Sequence, residues 1–229
     1  MKTAVIIPAA GTGSRLSSKV DKPFVKLCEK EIILYCLRSL EDSPLISEVI
    51  IASRPKNIPK LKKLVKREGI KKIKAIVKGE KTRALSVRNG LDNVSADTRF
   101  VIIHDCARPF LTQGLIKETL KAAKAYGASL AAVAVKPTIK ESGTGVSFVK
   151  RTIDRRLLWE AQTPQAFKKE LLVKAYKRFK GSCAGFTDDT SLVEKMGQRV
   201  KIVKGSYNNI KITTPEDLLI AEAILKRVK

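Results

Sequence analysis

One histidine in 229 residues, His104, is the first constraint on what this chain can do. It leaves a histidine-based metal site without ligands and a Ser-His-Asp triad with a single possible base. Cysteine is nearly as scarce. Cys28, Cys36, Cys106 and Cys183 show no C-x-x-C spacing, and three of them sit beside apolar residues. Buried free thiols in a reducing compartment are therefore expected, not a metal site or disulfides. No stretch approaches the roughly 20 apolar residues of a membrane span, and the apolar run near the N-terminus is too short for a secretory signal. That run starts the first core strand, so no cleaved leader and no membrane partner is expected, and the cytoplasm is the expected location.

Acidic residues are also in short supply: 22 Asp and Glu face 46 Lys and Arg, a net charge of +24. Such a balance attracts polyanions. Ten basic residues fall between Lys56 and Lys78, with Glu68 the only acid among them. Leu61, Leu64 and Val65 recur there at helical spacing, so these lysines read as the solvated face of an amphipathic helix. No aromatic residue interleaves with them, which argues against a base-stacking platform and specific nucleic-acid binding. A basic nucleic-acid-binding protein is the alternative class, supported by charge alone. On the favoured reading the charge gathers small phosphorylated substrates.

What is present is a chain with 44% hydrophobic residues and enough length for one α/β domain spanning 1–229. β-rich runs at 3–8, 48–52, 74–78, 100–104, 129–135 and 199–203 alternate with helical stretches at 32–40, 60–68, 83–93, 113–126, 168–179 and 215–229. Continuous apolar strands alternating with helices predict a Rossmann-like three-layer sandwich, a mostly parallel sheet covered on both faces. Between about residues 136 and 159 the alternation breaks, and short β-prone pieces at 138–140 and 146–152 predict a protruding β-arm. A lone two-stranded ribbon is marginal in water, so the arm is expected to pack on something, such as a second subunit. Trp159, the only tryptophan, is expected to pack where the arm rejoins the body.

Ligands of parallel sheets gather at the carboxyl ends of strands. The first strand ends in Pro8-Ala9-Ala10-Gly11-Thr12-Gly13-Ser14-Arg15, and Lys22 follows. Small residues and glycines let the backbone approach polyphosphate, and fixed positive charge comes next. A dinucleotide fingerprint fails, since its third glycine falls at Leu16 and no acid ends the second strand; a Walker A pattern fails for want of Gly-Lys-Ser/Thr.

Further motifs follow in order: Arg83-x-x-Ser86-Val87, His104-Asp105-x-Ala107-Arg108-Pro109, Thr152-x-Asp154-Arg155, Gln162-Thr163-Pro164-Gln165, Thr187-Asp188-Asp189 and Asn209-Ile210-Lys211-Ile212-Thr213-x-Pro215-Glu216-Asp217. The ordered set resembles the 2-C-methyl-D-erythritol 4-phosphate cytidylyltransferases, which share the sugar-type nucleotidyltransferase fold, and the match spans the chain from Pro8 to Glu222. The resemblance implies attack of a sugar phosphate on the α-phosphorus of CTP, with pyrophosphate leaving. The nucleophile is already an anion, so such a site needs cations and alignment more than a base. It further implies that Arg15 and Lys22 stabilise charge around the α-phosphate and that Lys211 and Arg155 hold the attacking phosphate. Ala9, Ala10, Gly11, Gly13, Gly79 and Ser86 would surround the nucleotide, with Asp105 near the ribose and the acceptor. Arg108, Thr138, Thr163 and Thr187 would lie near the acceptor. Mg²⁺ would be held by CTP and water, not a protein cage. Thr138 and Arg155 would reach from the arm into the neighbouring site of a homodimer.

A related reading is a cytidylyltransferase for another alditol phosphate, such as ribitol 5-phosphate. Thr152-x-Asp154-Arg155 with Leu158-Trp159, and Thr187-Asp188-Asp189-x-Ser191, favour the erythritol acceptor. Three positions depart from the family pattern: Glu80 in place of a second glycine, Leu85 at a position often aspartate, and Pro137 in place of an acid. Local readings stand beside these roles. Asp105 and Arg108 can cap a helix, His104 can be a satisfied core or loop residue, and Ser86 can be an ordinary polar helix residue. Thr163 and Thr187 suit turns or N-caps. Lys211 reads as the odd residue of a strand at 210–212.

Overall fold

A computed structural model describes residues 2–11, 13, 15, 16, 20–145, 147–180 and 185–228. Cys183, Val146 of the expected arm strand and Lys229 of the last expected helix lie outside them, as do Thr12 and Ser14 of the glycine loop. The centre is a seven-stranded sheet built from β1 (Thr3–Ala9), β4 (Glu48–Ser53), β5 (Ile73–Lys78), β6 (Phe100–Ile103), β7 (Ala128–Ala134), β10 (Trp159–Lys168) and β11 (Lys201–Lys204). Their order is β11-β7-β10-β6-β1-β4-β5. Ladders β1–β4, β1–β6, β4–β5 and β11–β7 are parallel, and β10 runs antiparallel to both its neighbours.

Alternation along β1 divides the core. Val5 and Ile7 face one side with α1 (Ile32–Glu41), α2 (Ile58–Arg67) and α4 (Gln113–Tyr126). Ile6 faces the other, with α3 (Arg83–Leu91), α5 (Lys169–Arg178) and α6 (Asp189–Glu194). The result is the expected Rossmann-like three-layer α/β sandwich. In α2, Leu61, Leu64 and Val65 are buried while Lys60, Lys62, Lys63 and Lys66 are exposed, so those lysines form a solvated face. α7 (Pro215–Val228) packs Ala221 in a third cluster with Leu16, Leu27 and Ile32. No described helix is long and apolar enough to cross a membrane.

Several expectations need correction. β10 lies in the middle of the sheet where no strand was predicted; its sequence lacks apolar alternation and contains Pro164. The ladder to β7 shifts register between Ala161 and Gln165, so the missing N–H of Pro164 costs no paired bond. The short helix α6 was also unforeseen; Asp188 caps it, its carboxylate accepting from the Ser191 amide at 2.9 Å, and Thr187 is exposed one residue earlier. Residues 210–212 form no strand; Ile212 donates one backbone bond to Ala107 at 2.9 Å. Cys28 is exposed, at φ 51 in the turn of a small hairpin, β2 (Lys26–Leu27) and β3 (Lys30–Glu31), whereas Cys36 and Cys106 are buried free thiols.

The arm is present as an antiparallel ribbon, β8 (Ile139–Ser142) and β9 (Val149–Ile153). Trp159 pairs with Ala134 at the start of β10, yet its surface is 45% exposed.

Candidate active site

The chain leaves β1 through Ala10 and Gly11, then turns at Gly13, whose φ of +68° suits a residue without Cβ. A Cβ there would sit 2.7 Å from Lys22 Cβ, so the glycine also admits the Lys22 stem. The return is a short 3-10 turn, Lys22–Phe24, with Pro23 in its first turn. Asp21 anchors it to the end of β4 through Arg54 at 2.7 Å and Lys56 at 2.8 Å. Lys22 is thereby half-buried at the mouth of the sheet. Burial first, then the nearby Lys211 and Arg15, pulls its ammonium below the usual lysine range.

A second wall comes from the turn between β5 and α3. Thr82 caps α3 by accepting from the Leu85 amide at 3.3 Å. The Ser86 hydroxyl accepts from the Glu80 amide at 2.8 Å and donates to the Thr82 carbonyl at 2.9 Å. Ser86 thus shapes the turn. Leu85, on α3, packs against the core cluster that holds Ile6, Val87 and Phe167, while Glu80 pairs with Lys78 at 3.3 Å and Asn89 at 3.3 Å.

The floor follows β6. Asp105 is buried, yet Arg83 Nε lies 3.1 Å from its Oδ1 and Lys211 Nζ 2.9 Å from its Oδ2, with Arg108 Nε at 3.8 Å. Burial alone would raise this carboxyl, but Arg83, Lys211 and Arg108 outweigh it and hold it far below the usual carboxylate range. Beneath, His104 Nε2 is 3.0 Å from the Arg108 carbonyl, an acceptor, so that nitrogen carries the proton. Nδ1 therefore accepts from the Thr163 hydroxyl at 3.1 Å, which itself accepts from the Asp105 amide at 3.0 Å. Burial lowers the His104 imidazole to about 4, and it is neutral at pH 7.

Ala10, Gly11, Gly13, Arg15, Lys22, Ser86, Asp105 and Lys211 line one cleft of about 340 Å³, a volume in the range of small-molecule sites. Five cationic side chains there, Arg15, Lys22, Lys81, Arg83 and Lys211, face two carboxylates, Glu80 and Asp105. Ala9 and Gly79 support the cleft from behind; a Cβ on Gly79 would collide with the Ala10 methyl. Arg108 is buried below it, donating to the Asn209 carbonyl at 2.6 Å, and Thr163 is engaged as above. Thr187, Thr138 and Arg155 are exposed and do not line the cleft; the Arg155 guanidinium donates to the Lys136 carbonyl. The reading of the sequence assigned no role to Arg83, although it opens one of the motifs, nor to Lys81 and Cys106, which carry no sequence signal of their own.

Among the described residues no three His, Cys, Asp or Glu side chains converge as a metal cage. Asp105 is already surrounded by cations. The cations that crowd the cleft suit phosphate oxygens as the groups held there.

A protein from Pelotomaculum thermopropionicum called 2-C-methyl-D-erythritol 4-phosphate cytidylyltransferase is 44% identical over 227 residues, covering 98% of this chain and 94% of its own. The protein of the same name from Caldanaerobacter subterraneus is 41% identical, covering 99% and 100%. The crystal structure of the Anaerococcus prevotii 4-diphosphocytidyl-2C-methyl-D-erythritol synthase superposes with a TM-score of 0.86 at 32% identity, covering 98% and 96%. The Thermus thermophilus 2-C-methyl-D-erythritol 4-phosphate cytidylyltransferase gives 0.78 at 30% identity, covering 99% and 100%. The family model itself matches residues 3–227, and the chain belongs to the 2-C-methyl-D-erythritol 4-phosphate cytidylyltransferase family.

Proposed function

We propose that the cleft carries out in-line transfer of CMP from CTP to 2-C-methyl-D-erythritol 4-phosphate, with the roles divided among its cations as follows. The chain is a cytidylyltransferase of isoprenoid biosynthesis. An acceptor phosphate oxygen forms a bond to the α-phosphorus while the bond to the pyrophosphate oxygen breaks. No proton needs to be removed, which suits a site whose single histidine is buried and neutral. Arg15 and Lys22, from the loop after β1, neutralise charge developing on the α-phosphate and the leaving group. Lys211 enters from the opposite side on the Asp105 carboxylate and holds the acceptor phosphate in line. Backbone around Ala10 and Glu80 faces the nucleotide end of the cleft. A magnesium ion bound together with the triphosphate would add to the neutralisation of phosphate charge that Arg15 and Lys22 provide.

The arm supplies the rest. Phe148 and Leu157 are 83% and 79% exposed on it, a poor state for a lone ribbon in water. Two copies pairing through their arms would cover them and bring Arg155 and Thr138 of one copy to the cleft of the other. Reduced thiols at Cys36 and Cys106 suit a cytoplasmic location.

The observation that carries this reading is the five-cation cleft at the carboxyl ends of β1, β5 and β6. Its test is pyrophosphate release with CTP and Mg²⁺, comparing methylerythritol phosphate with ribitol 5-phosphate. Turnover is expected with the first and lost at least about a hundredfold in Lys22→Ala. Preference for ribitol 5-phosphate, or near-normal turnover in Lys22→Ala, overturns the assignment.

A further inference from the structure

Arg83 touches two carboxylates that come from different parts of the chain. Its Nε donates to Asp105 Oδ1 at 3.1 Å, and a terminal nitrogen donates to Asp189 Oδ2. Asp189 lies outside the cleft, fully buried at the first residue of α6. Its other oxygen accepts from the Tyr176 hydroxyl of α5 at 2.6 Å, and its amide donates to Gln165 Oε1 of β10 at 3.2 Å. A carboxylate at such depth needs a cation in contact, and Arg83 is its ion-pair partner. One of the two terminal nitrogens of the guanidinium is thereby committed to Asp189, which fixes the orientation of its plane so that Asp105 is met by Nε alone. Lys211 takes the oxygen of Asp105 that Arg83 leaves, at 2.9 Å.

We propose that Arg83, clamped by Asp189, is a positioning residue for Lys211: it occupies one oxygen of Asp105 and reserves the other for the Lys211 ammonium. Without the Asp189 charge, the Arg83 fork closes on both oxygens of Asp105, the arrangement guanidinium and carboxylate favour. Lys211 then loses its anchor. The same contact ties α6, far from the glycine loop in sequence, to the acceptor side of the cleft. The kinetic consequence rests on the assignment of Lys211 to the acceptor phosphate; the placement of Lys211 does not.

Two measurements separate these. In Asp189→Asn, which keeps size and the Tyr176 contact, trace acylation of Lys211 without substrates, read by mass spectrometry, is expected to rise about threefold or more as the amine leaves its carboxylate. The KM for methylerythritol phosphate is expected to rise about tenfold while that for CTP stays within about twofold. Arg83→Lys, whose single ammonium stays with the deeper Asp189 carboxylate and leaves Asp105 Oδ1 unheld, is expected to show the same KM split, because Lys211 is then no longer confined to Oδ2, and it carries the test if Asp189→Asn does not fold. Unchanged Lys211 labelling in folded Asp189→Asn, or both KM values rising together in either variant, overturns the positioning role. Increased labelling with an unchanged acceptor KM supports that role and overturns the assignment of Lys211 to the acceptor.

Discussion

His104 shows how one side chain can matter to a phosphoryl-transfer site without touching phosphate. Its protonated Nε2 holds the Arg108 carbonyl and its bare Nδ1 holds Thr163, so the turn carrying Asp105 and Arg108 is pinned at both ends. Protonating Nδ1 would break the Thr163 contact inside a buried site. The folded imidazole, at about 4, lies below the 6.5 of an ordinary histidine. The unfolded chain therefore binds the extra proton first, and stability falls as pH drops from 6.5 towards 4, then levels off. The full difference amounts to about 3 kcal/mol. Asp105 does not confound this window: its carboxyl is depressed, so its contribution persists above the ordinary carboxylate value and is lost only in stronger acid. Urea midpoints at pH 7, 5.5 and 4.5 check the slope, and His104→Gln is expected to flatten it. An equal slope in that variant assigns the acid sensitivity elsewhere.

The turn after β5 and the loop after β1 act as one unit, and Gly79 is where they touch. Its amide donates to the Ser53 carbonyl at 2.7 Å, and a Cβ would strike the Ala10 methyl and lie 3.2 Å from the Ala52 carbonyl. Gly79→Ala is therefore expected to push Ala10 into the cleft, raising the CTP KM about tenfold and costing about 1–3 kcal/mol. Gly114→Ala, in α4 with open space around it, should instead stabilise by about 0.5–1 kcal/mol. Denaturant midpoints and CTP kinetics for the pair check the contrast. Elements differ in the same way in how visible they are from sequence. β1, β4 and β6 are buried on both faces and read as apolar runs, and the glycine loop follows the first of them. β10 does not, because Gln162, Thr163 and Gln165 are buried for the bonds they make to Asn209, Asp105 and Asp188, not for hydrophobicity. The cations Arg15, Lys22 and Lys211 were legible as motif members. That Arg83 bridges Asp105 to Asp189 was not, since the two carboxylates meet only through tertiary packing.

At the scale of the whole molecule, two features bear on the proposed pairing of two copies: Phe148 and Leu157 are exposed on an otherwise charged arm, and Arg155 and Thr138 lie outside their own chain's cleft. A net charge of +24 would draw phosphorylated substrates towards the cleft and would also repel a second copy, so the proposed arm pairing would require apolar contact, such as that of Phe148 and Leu157, to outweigh this repulsion. If each cleft combines Lys22 of one copy with Arg155 of the other, the two residues can be separated genetically. Lys22→Ala and Arg155→Ala homodimers are each expected to be nearly inactive. A mixed dimer would hold one cleft with both residues intact and one with neither. Co-refolded in equal amounts, half the dimers are mixed, and activity is expected to return to about a quarter of that of the unaltered protein. Lys22→Ala mixed with Lys22→Ala/Arg155→Ala should restore nothing, because every cleft then lacks its lysine. Size-exclusion chromatography of each sample verifies that dimers form. Dimers that form without recovery of activity would place Arg155 in its own chain's cleft, and the arm would then serve assembly alone.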